Sequence, residues 1–321
     1  MKIKKEYIIL AVIIAALLLY LSQRSTDRTH YQLPDVPKIS ASAIIKLEIS
    51  KNGTPIAIGK EGNSWIIGPE KYRADTTKIR NMLDVMEKLT LTALVSESKS
   101  YNRYDLDDKH KITVKAFDKD QLKLELDIGK AASSFRHTFV KIAGDDRVFH
   151  ANGSFRGKFD KTVGDLRDKT VLAFKIDEIG EINIAKGRDK MVFSRIQIPN
   201  KTKEPETSSS KAEPLKIIWQ NAAGKKGVNS KINRLLTTLS DFNCEKYVSG
   251  RSKDEFSDPI YTLLLKGSKE YKLSIFEKLN KDDKDYPAVS SENRYPFLIS
   301  DSQVKSIMED PAELLEKKDK K

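Results

Sequence analysis

Leu166-Arg167-Asp168-Lys169-Thr170-Val171-Leu172-Ala173-Phe174 lies near the middle of the 321-residue chain. It joins an apolar residue, a charged centre and a second apolar run. Its meaning comes from its flanks: the order of apolar positions before it starts again after it. Leu166 closes one folded unit, and Val171 to Phe174 lead into a second.

Before the seam, Ile44 to Ile49 alternates apolar and polar residues, Asn52-Gly53 signals a turn, and Pro55 to Ile58 reads as a second strand. Gly62-Asn63 turns into Trp65-Ile66-Ile67. Asp75 stands as an N-cap ahead of Ile79, Met82, Leu83, Met86 and Leu89, which recur at helical spacing. Leu94-Val95 reads as a short strand. Ile112 to Phe117 and Leu122 to Ile128 form a hairpin around Asp118-Lys119-Asp120. Phe135 to Ile142 and Arg147 to Phe149 form another, and Phe155, Phe159 and Leu166 mark a short closing segment.

The second half repeats this order. Adding 135 maps Leu47, Ile49, Ile56 and Ile58 onto Ile182, Ile184, Met191 and Phe193. Adding 153 maps Ile79, Met82, Leu83, Met86 and Val95 onto Ile232, Leu235, Leu236, Leu239 and Val248. Adding 149 maps Ile112, Leu122, Leu124, Leu126, Val140, Val148 and Phe149 onto Tyr261, Tyr271, Leu273, Ile275, Val289, Phe297 and Leu298, and Phe155, Phe159 and Leu166 onto Val304, Met308 and Leu315. The first change of offset falls on Pro199 to Pro214, a low-complexity stretch with no apolar side chain beyond alanine and proline. The second falls on Leu106 to Lys109, which has no counterpart. The fold class expected is α+β: an N-terminal transmembrane helix followed by two tandem duplicated units, each mainly antiparallel sheet with one packed helix. The divisions expected are a basic tip and anchor at 1–22, a tether at 23–40, a first unit at 41–172 and a second at 173–321 with a disordered insert at 199–214.

The anchor is read from Tyr7 to Leu21, an uninterrupted apolar or aromatic run. Counted from Ile3, with Lys4 and Lys5 snorkelling, it reaches about 28 Å, close to the thickness of a bilayer core. Leu19-Tyr20-Leu21-Ser22-Gln23-Arg24 is a poor cleavage site, so an uncleaved anchor is favoured over a signal peptide. The lysines ahead of it place the N-terminus in the cytoplasm and the body outside the inner membrane. The chain carries a net charge of +12, mostly lysine spread along its length. That excess fits a solvated surface or attraction to an anionic partner. No nucleic-acid recognition motif accompanies it.

Motifs that carry chemistry are few. Cys244 is the sole cysteine, which excludes an intramolecular disulfide and a cysteine metal cluster, and His30, His110, His137 and His150 stand in no patterned relation to it. Asp105-Leu106-Asp107-Asp108 resembles the start of a calcium loop but has His110 and Ala116 where glycine and glutamate belong. Lys281 to Asp285 reads as a solvated turn. Gly153 to Lys158 is one residue short of a phosphate-binding loop, and Phe159 replaces its hydroxyl residue. Gly224 to Gly227, before a helix, is read as a turn ahead of an anion site. Asn52, Asn152 and Asn200 begin sequons and mark exposed turns. Trp65 and Trp219 occupy corresponding strands and are read as core, with an aromatic platform as the alternative. No catalytic, cofactor-binding or metal-ligating residue is assigned, and no cofactor is expected.

Trp65 followed by Pro69 and Ala74-Asp75, then Leu83 and Leu89, Tyr104-Asp105-Leu106, Leu126-Asp127-Ile128-Gly129, Phe139-Val140, Val148-Phe149 and Leu166 to Lys169 leading to Phe174, together resemble a bacterial membrane-associated family, domain of unknown function 4340. The resemblance runs over residues 44–180 and more loosely over the whole body. It implies a single N-terminal anchor, an extracytoplasmic body and partners among ABC-type export or gliding-motility-like components; it carries over no catalytic residue. The function expected is that of a membrane-anchored extracytoplasmic accessory or scaffold protein, auxiliary to an ABC-type transport system in the bacterial envelope. Its expected partners are envelope membrane proteins and the bilayer, the latter through residues 3–21. The alternative is a binding module for anionic glycan or lipid headgroups. An envelope-polymer enzyme is supported only by plentiful carboxylates.

Overall fold

The computed structural model describes residues 5–23, 31–199 and 215–316. The chain divides into two compact units, residues 1–161 and 162–321. The first contains α1 (Lys5–Gln23), β1 (Lys46–Lys51), β2 (Thr54–Glu61), β3 (Ser64–Ile67), β4 (Tyr72–Arg73), α2 (Thr76–Glu87), β5 (Leu91–Ser96), β6 (Ile112–Asp118), β7 (Gln121–Ala131), β8 (His137–Ile142), β9 (Val148–Asn152) and α3 (Arg156–Phe159). The second contains α4 (Val163–Leu166), β10 (Thr170–Ala173), β11 (Glu181–Lys186), β12 (Asp189–Pro199), β13 (Leu215–Asn221), α5 (Asn229–Leu239), β14 (Asp241–Asn243), β15 (Lys246–Tyr247), β16 (Tyr261–Lys266), β17 (Glu270–Ile275), β18 (Asp285–Ser290), β19 (Phe297–Ser300) and α6 (Asp301–Ile307).

Each unit is built on one antiparallel sheet. The first has the order β4-β3-β2-β1-β6-β7-β8-β9-β5; the second has β13-β12-β11-β16-β17-β18-β19-β15, with a separate β10–β14 pair. Strand for strand these orders are the same, except that β4 is reduced in the second unit to a single bridge between Gln220 and Lys226. In both units alternate side chains enter one core. Leu47, Ile58, Val114, Leu126, Val140 and Phe149 are buried in the first, with Ile182, Phe193, Leu263, Leu273, Ala288 and Phe297 at equivalent places in the second. The helices supply the other wall: Ile79, Met82, Leu83 and Met86 of α2, and Ile232, Leu235, Leu236 and Leu239 of α5. Burying each such side chain stabilises the fold by about 2 kcal/mol.

The register tests the offsets directly. Leu47 faces Ile58 and Ile182 faces Phe193, so 135 holds across the first hairpin. Leu47 faces Ala116 and Ile182 faces Leu265, so 149 holds for β6 and β16. The four helix positions hold at 153. Beyond β6 the offset of 149 is corrected. Val114 faces Leu126 whereas Leu263 faces Leu273, so Leu126 corresponds to Leu273 and not to Ile275. A bulge between Ala116 and Phe117, where Lys123 has no partner, accounts for one of the two extra residues of the first hairpin. Ile128 faces Val140 and Ile275 faces Ala288; Val140 then faces Phe149, and Ala288 faces Phe297. Val140 therefore corresponds to Ala288, and Phe149 to Phe297. A one-residue error exchanges the faces of a strand, and the half-buried Val289 and Leu298 are the outward neighbours of the true partners. The closing segment shifts likewise, with buried Phe159 and Leu166 matching buried Ile307 and Leu314.

Short helices α3, α4 and α6 and the β10–β14 pair go beyond the single helix expected in each unit. The unit boundary lies ahead of the expected seam, because Val171 and Leu172 belong to the core of the second unit. The insert at 199–214 falls between β12 and β13; all of it except Pro199 is outside the described residues. The helix α1 has 19 residues. Among the described residues no helix is long and apolar enough to cross a membrane; the anchor expected over 3–21 extends beyond them.

Asp75 caps α2 as expected, accepting from Thr77 N at 3.0 Å and Lys78 N at 3.1 Å. In α5 the cap position is Val228, which offers no acceptor. Asp75→Ala is expected to lower the stability of the first unit by about 1 kcal/mol, and Asp75→Asn by much less. Denaturant unfolding followed by Trp65 fluorescence in a Trp219→Phe background measures both; equal effects would overturn the capping role.

Candidate functional site

The face of the first sheet turned away from α2 carries a groove of 530 Å³. The register places Lys46 opposite Gly59 and Gly59 opposite Ile66, so these three form a row across β1, β2 and β3. A side chain added at Gly59 would meet nothing within 4 Å, and Ala57, two residues earlier on the same face, adds only a methyl. This small-residue floor is bounded by the turn after β3, with Gly68, Pro69 and Lys71, and by the β6–β7 turn, with Lys119 and Asp120. Gly68 (φ 65°), Lys71 (φ 55°) and Lys119 (φ 53°) adopt left-handed backbone in these turns.

Lys46, Lys60, Lys71 and Lys119 line the groove with only Glu61 and Asp120 as acids. Lys46 pairs with Glu48 at 2.7 Å and lies 4.9 Å from the Phe117 ring centroid. Lys71 pairs with Glu61 at 3.2 Å. Lys60 and Lys119 have no acidic partner among the described residues. The arrangement attracts an anion to an apolar floor made by Ile45, Ala57, Ile66 and Pro69. Its lining includes no imidazole, thiol or hydroxyl.

Further along this outer face, Asp127 accepts from Thr113 Oγ1 at 2.6 Å and lies 3.7 Å from Lys111 and 3.9 Å from Lys141. His137 and His150 stack with ring centroids 5.2 Å apart, and Phe139 lies 4.8 Å from His150. His150 Nε2 is buried without a hydrogen-bond partner.

The residues singled out in the sequence are scattered. Asp107 holds His110 Nδ1 at 2.9 Å, a hydrogen bond that keeps its carboxyl below the ordinary value, and Asp108 pairs with Lys111 at 2.9 Å. Asp283 caps the turn at Asn280, and Asp285 lies 3.9 Å from Lys246. Among the described residues no group of three or more His, Cys, Asp or Glu is placed to hold a metal. The amides of Gly153 and Phe155 are bound to Arg136 O and Thr138 Oγ1. Ala223 and Lys225 donate to the Asn221 side chain, Gly224 to its carbonyl, and Gly227 to Trp219 O, so this loop does not present those N–H groups to an anion. Trp65 and Trp219 are both buried. Asn52 and Asn152 are exposed and Asn200 lies outside the described residues.

At the seam, the Arg167 guanidinium lies 3.5 Å from the Tyr247 ring centroid and 4.8 Å from that of Tyr295. Tyr247 donates to Asp168 O at 2.6 Å, and Lys169 to Glu245 O at 2.6 Å. Burial pushes the Tyr247 hydroxyl up to about 12 and the Cys244 thiol up to about 11, far from an activated nucleophile. These groups bind the chain entering the second unit to β15 and its approach.

The groove was not found from the sequence, because its lysines come from four separate places and meet only through strand register. The one local signal is a glycine, Gly59, inside a strand pattern. The imidazole pair gives a pH test. Burial, then the charge of His137, holds His150 below its ordinary value of 6.5. The fold keeps it neutral, so its contribution is complete above the unfolded value and is lost as pH falls below it. The denaturant midpoint is expected to drop between about pH 7.5 and about pH 5.5, and to drop less in His150→Phe. An identical drop in the variant would overturn this origin.

No curated protein and no solved structure matches the chain. A family model, described as Domain of unknown function (DUF4340), matches residues 65–260. The match begins in β3, crosses the seam and ends just before β16, so it spans parts of both units. It covers more than half of the sequence, and the chain belongs to the DUF4340 family.

Proposed function

We propose that the chain is a membrane-anchored accessory protein that holds two sheet units outside the inner membrane and acts by binding envelope proteins. The observation that carries this is α1. Ile9, Leu10, Val12, Ile13, Ile14, Leu17, Leu18, Leu19 and Tyr20 are each between 49% and 62% exposed. At 100° per residue they spread over about 260° of the circumference, whereas a helix docked on a protein needs one apolar stripe. Leaving such side chains in water costs about 1.5–3 kcal/mol each relative to burial, and a bilayer removes that cost. Lys2, Lys4 and Lys5 precede the run and favour a cytoplasmic N-terminus. Family resemblance alone supports an ABC-type transport system as the setting.

The full-length chain is expected to stay with membranes through an alkaline carbonate wash, and a form lacking residues 1–22 to be soluble. A thiol introduced by Ser42→Cys should react with an impermeant maleimide added outside intact cells, against a low background because Cys244 is buried. Crosslinking in those membranes should capture envelope membrane proteins. Extraction of the full chain by carbonate would overturn the anchorage; absence of any crosslinked protein would overturn the accessory role.

A further inference from the structure

The β7–β8 turn of the first unit holds an aromatic ring where neither the backbone nor the core accounts for it. Phe135 is 76% exposed and stands at φ 56°. That left-handed conformation strains a bulky side chain and is ordinarily taken by glycine or asparagine. The turn is nonetheless well tied: Phe135 N donates to Ala132 O at 2.8 Å, Ala132 N to His137 O at 2.9 Å, and Gly153 N to Arg136 O at 2.7 Å. Ser133, Ser134 and Arg136 are exposed with it. The fold holds this ring out against both its backbone preference and its hydrophobicity.

The charge around the ring is one-sided. From Gly129 to His137 the turn contains Lys130 and Arg136 and no acid. The same end of the sheet receives Lys109, from the loop entering β6, and Lys158 and Lys161, from α3 and the residues after it. Arg156 holds α3 there by donating to Ile128 O at 2.9 Å and to His110 O at 2.5 Å. These five cations are exposed and have no acidic partner among the described residues. The acids of the same segments are engaged: Asp107 with His110, Asp108 with Lys111 and Asp160 with Lys51. The corresponding turn of the second unit, between β17 and β18, also exposes an apolar side chain, Leu279, but mixes Glu277, Asp282 and Asp283 with its lysines.

Topology places this turn away from the tether. Consecutive hairpins put the β7–β8 and β8–β9 turns at opposite ends of β8, about 20 Å apart for its 6 residues. Gln32, nine residues after Gln23 at the end of α1, has its carbonyl bound at 3.3 Å by Nη1 of Arg147 in the β8–β9 turn. The ring therefore stands at the end of the sheet opposite to the one that holds the tether. We propose that Phe135 is the anchor of a docking surface for an envelope protein. The ring enters an apolar pocket on that partner, and carboxylates on the pocket's rim meet Lys130 and Arg136. In such a contact the central aromatic supplies most of the affinity and the charged rim sets the orientation. The proposal rests on the chain being a protein that binds envelope proteins, and it names the surface that does so.

The test uses the full chain in intact cells, with the photoreactive p-benzoylphenylalanine in place of Phe135 or, separately, of Leu122, which is exposed at the other end of β7. Illumination is expected to join position 135 to one envelope protein and position 122 to none, with the adduct mapping beside Asp or Glu residues of that protein. The yield should fall about 5–10-fold in a Lys130→Gln, Arg136→Gln background. Phe135→Asn should leave the denaturant midpoint unchanged or higher, since asparagine tolerates the left-handed turn; a lower midpoint would give the ring a role in folding and overturn the proposal. Equal yields at the two positions, a yield indifferent to the two neutralisations, or an adduct in a stretch without acids would also overturn it. So would a phospholipid adduct, which would assign the tip to the bilayer surface, or an adduct to a second copy of the chain. If general crosslinking of the unsubstituted chain captures an envelope protein while position 135 yields none, the accessory role stands and the tip is not its docking site. If neither captures a protein, the accessory role itself fails and the proposal with it.

Discussion

The ladder that holds β1 between β2 and β6 sets what every other residue of the first unit can do. Leu47 faces Ile58 on one side and Ala116 on the other, and all three are buried. Because side chains alternate, this commits Lys46 and Glu48 to the opposite face, and a slip of one residue would exchange them with the core. Most of that opposite face is made compatible with water by cross-strand pairs such as Lys115 with Glu125 at 3.3 Å. Such exposed pairs contribute little stability. Their consequence is spatial: where pairing stops and the side chains shrink, at Gly59 and Ala57, the face becomes a groove with uncommitted charge on its rim.

The second unit obeys the same ladder and departs from the first at its edge. In the first, β4 pairs with β3 through Ile66–Arg73 and Ile67–Tyr72. In the second, a single bridge between Gln220 and Lys226 takes that place, and the Asn229 amide holds the strand edge further back, accepting from Trp219 N at 3.1 Å and donating to Ile217 O at 3.1 Å. One side chain thus satisfies a strand edge that would otherwise offer its backbone to another chain. Asn229 stands at the start of α5 and Val228 provides no cap, so that end of the helix gives up a side-chain cap while its first residue serves the sheet. Each unit has its own core, built on the same strand pattern, and the two patterns differ where strands end.

The core was legible because its signals are local. Helical spacing from Ile79 to Met86 and alternation from Leu47 to Ile58 are each contained in a dozen residues, and both were read with the correct offset to the second unit. Errors began after the first bulge. A bulge adds a residue without interrupting an alternating pattern of apolar character, and Val140 can be set against Val289 as readily as against Ala288 on hydrophobicity alone. Only the hydrogen-bond ladder distinguishes them. The groove was illegible for a related reason: Lys46, Lys60, Lys71 and Lys119 are far apart in the chain, and nothing in the sequence distinguishes them from the other lysines until the strands are paired.

The contrast between seam and groove shows how a charged residue is assigned a role. Arg167, Asp168 and Lys169 form the most conspicuous charged motif, yet the guanidinium of Arg167 is stacked on Tyr247, Asp168 Oδ1 accepts from Thr170 N at 2.9 Å, and Lys169 binds a carbonyl. Moving any of them to meet a substrate would break contacts that hold β10 and β15 in place. Lys60 and Lys119 stand in no motif and can engage an anion without breaking an ion pair. A ligand's gain there is reduced only by desolvating exposed ammonium groups and ordering their side chains, whereas at the seam it would first have to replace the contacts of a folded core. The charges of the seam are thus committed to the fold, whereas Lys60 and Lys119 remain exposed at the groove.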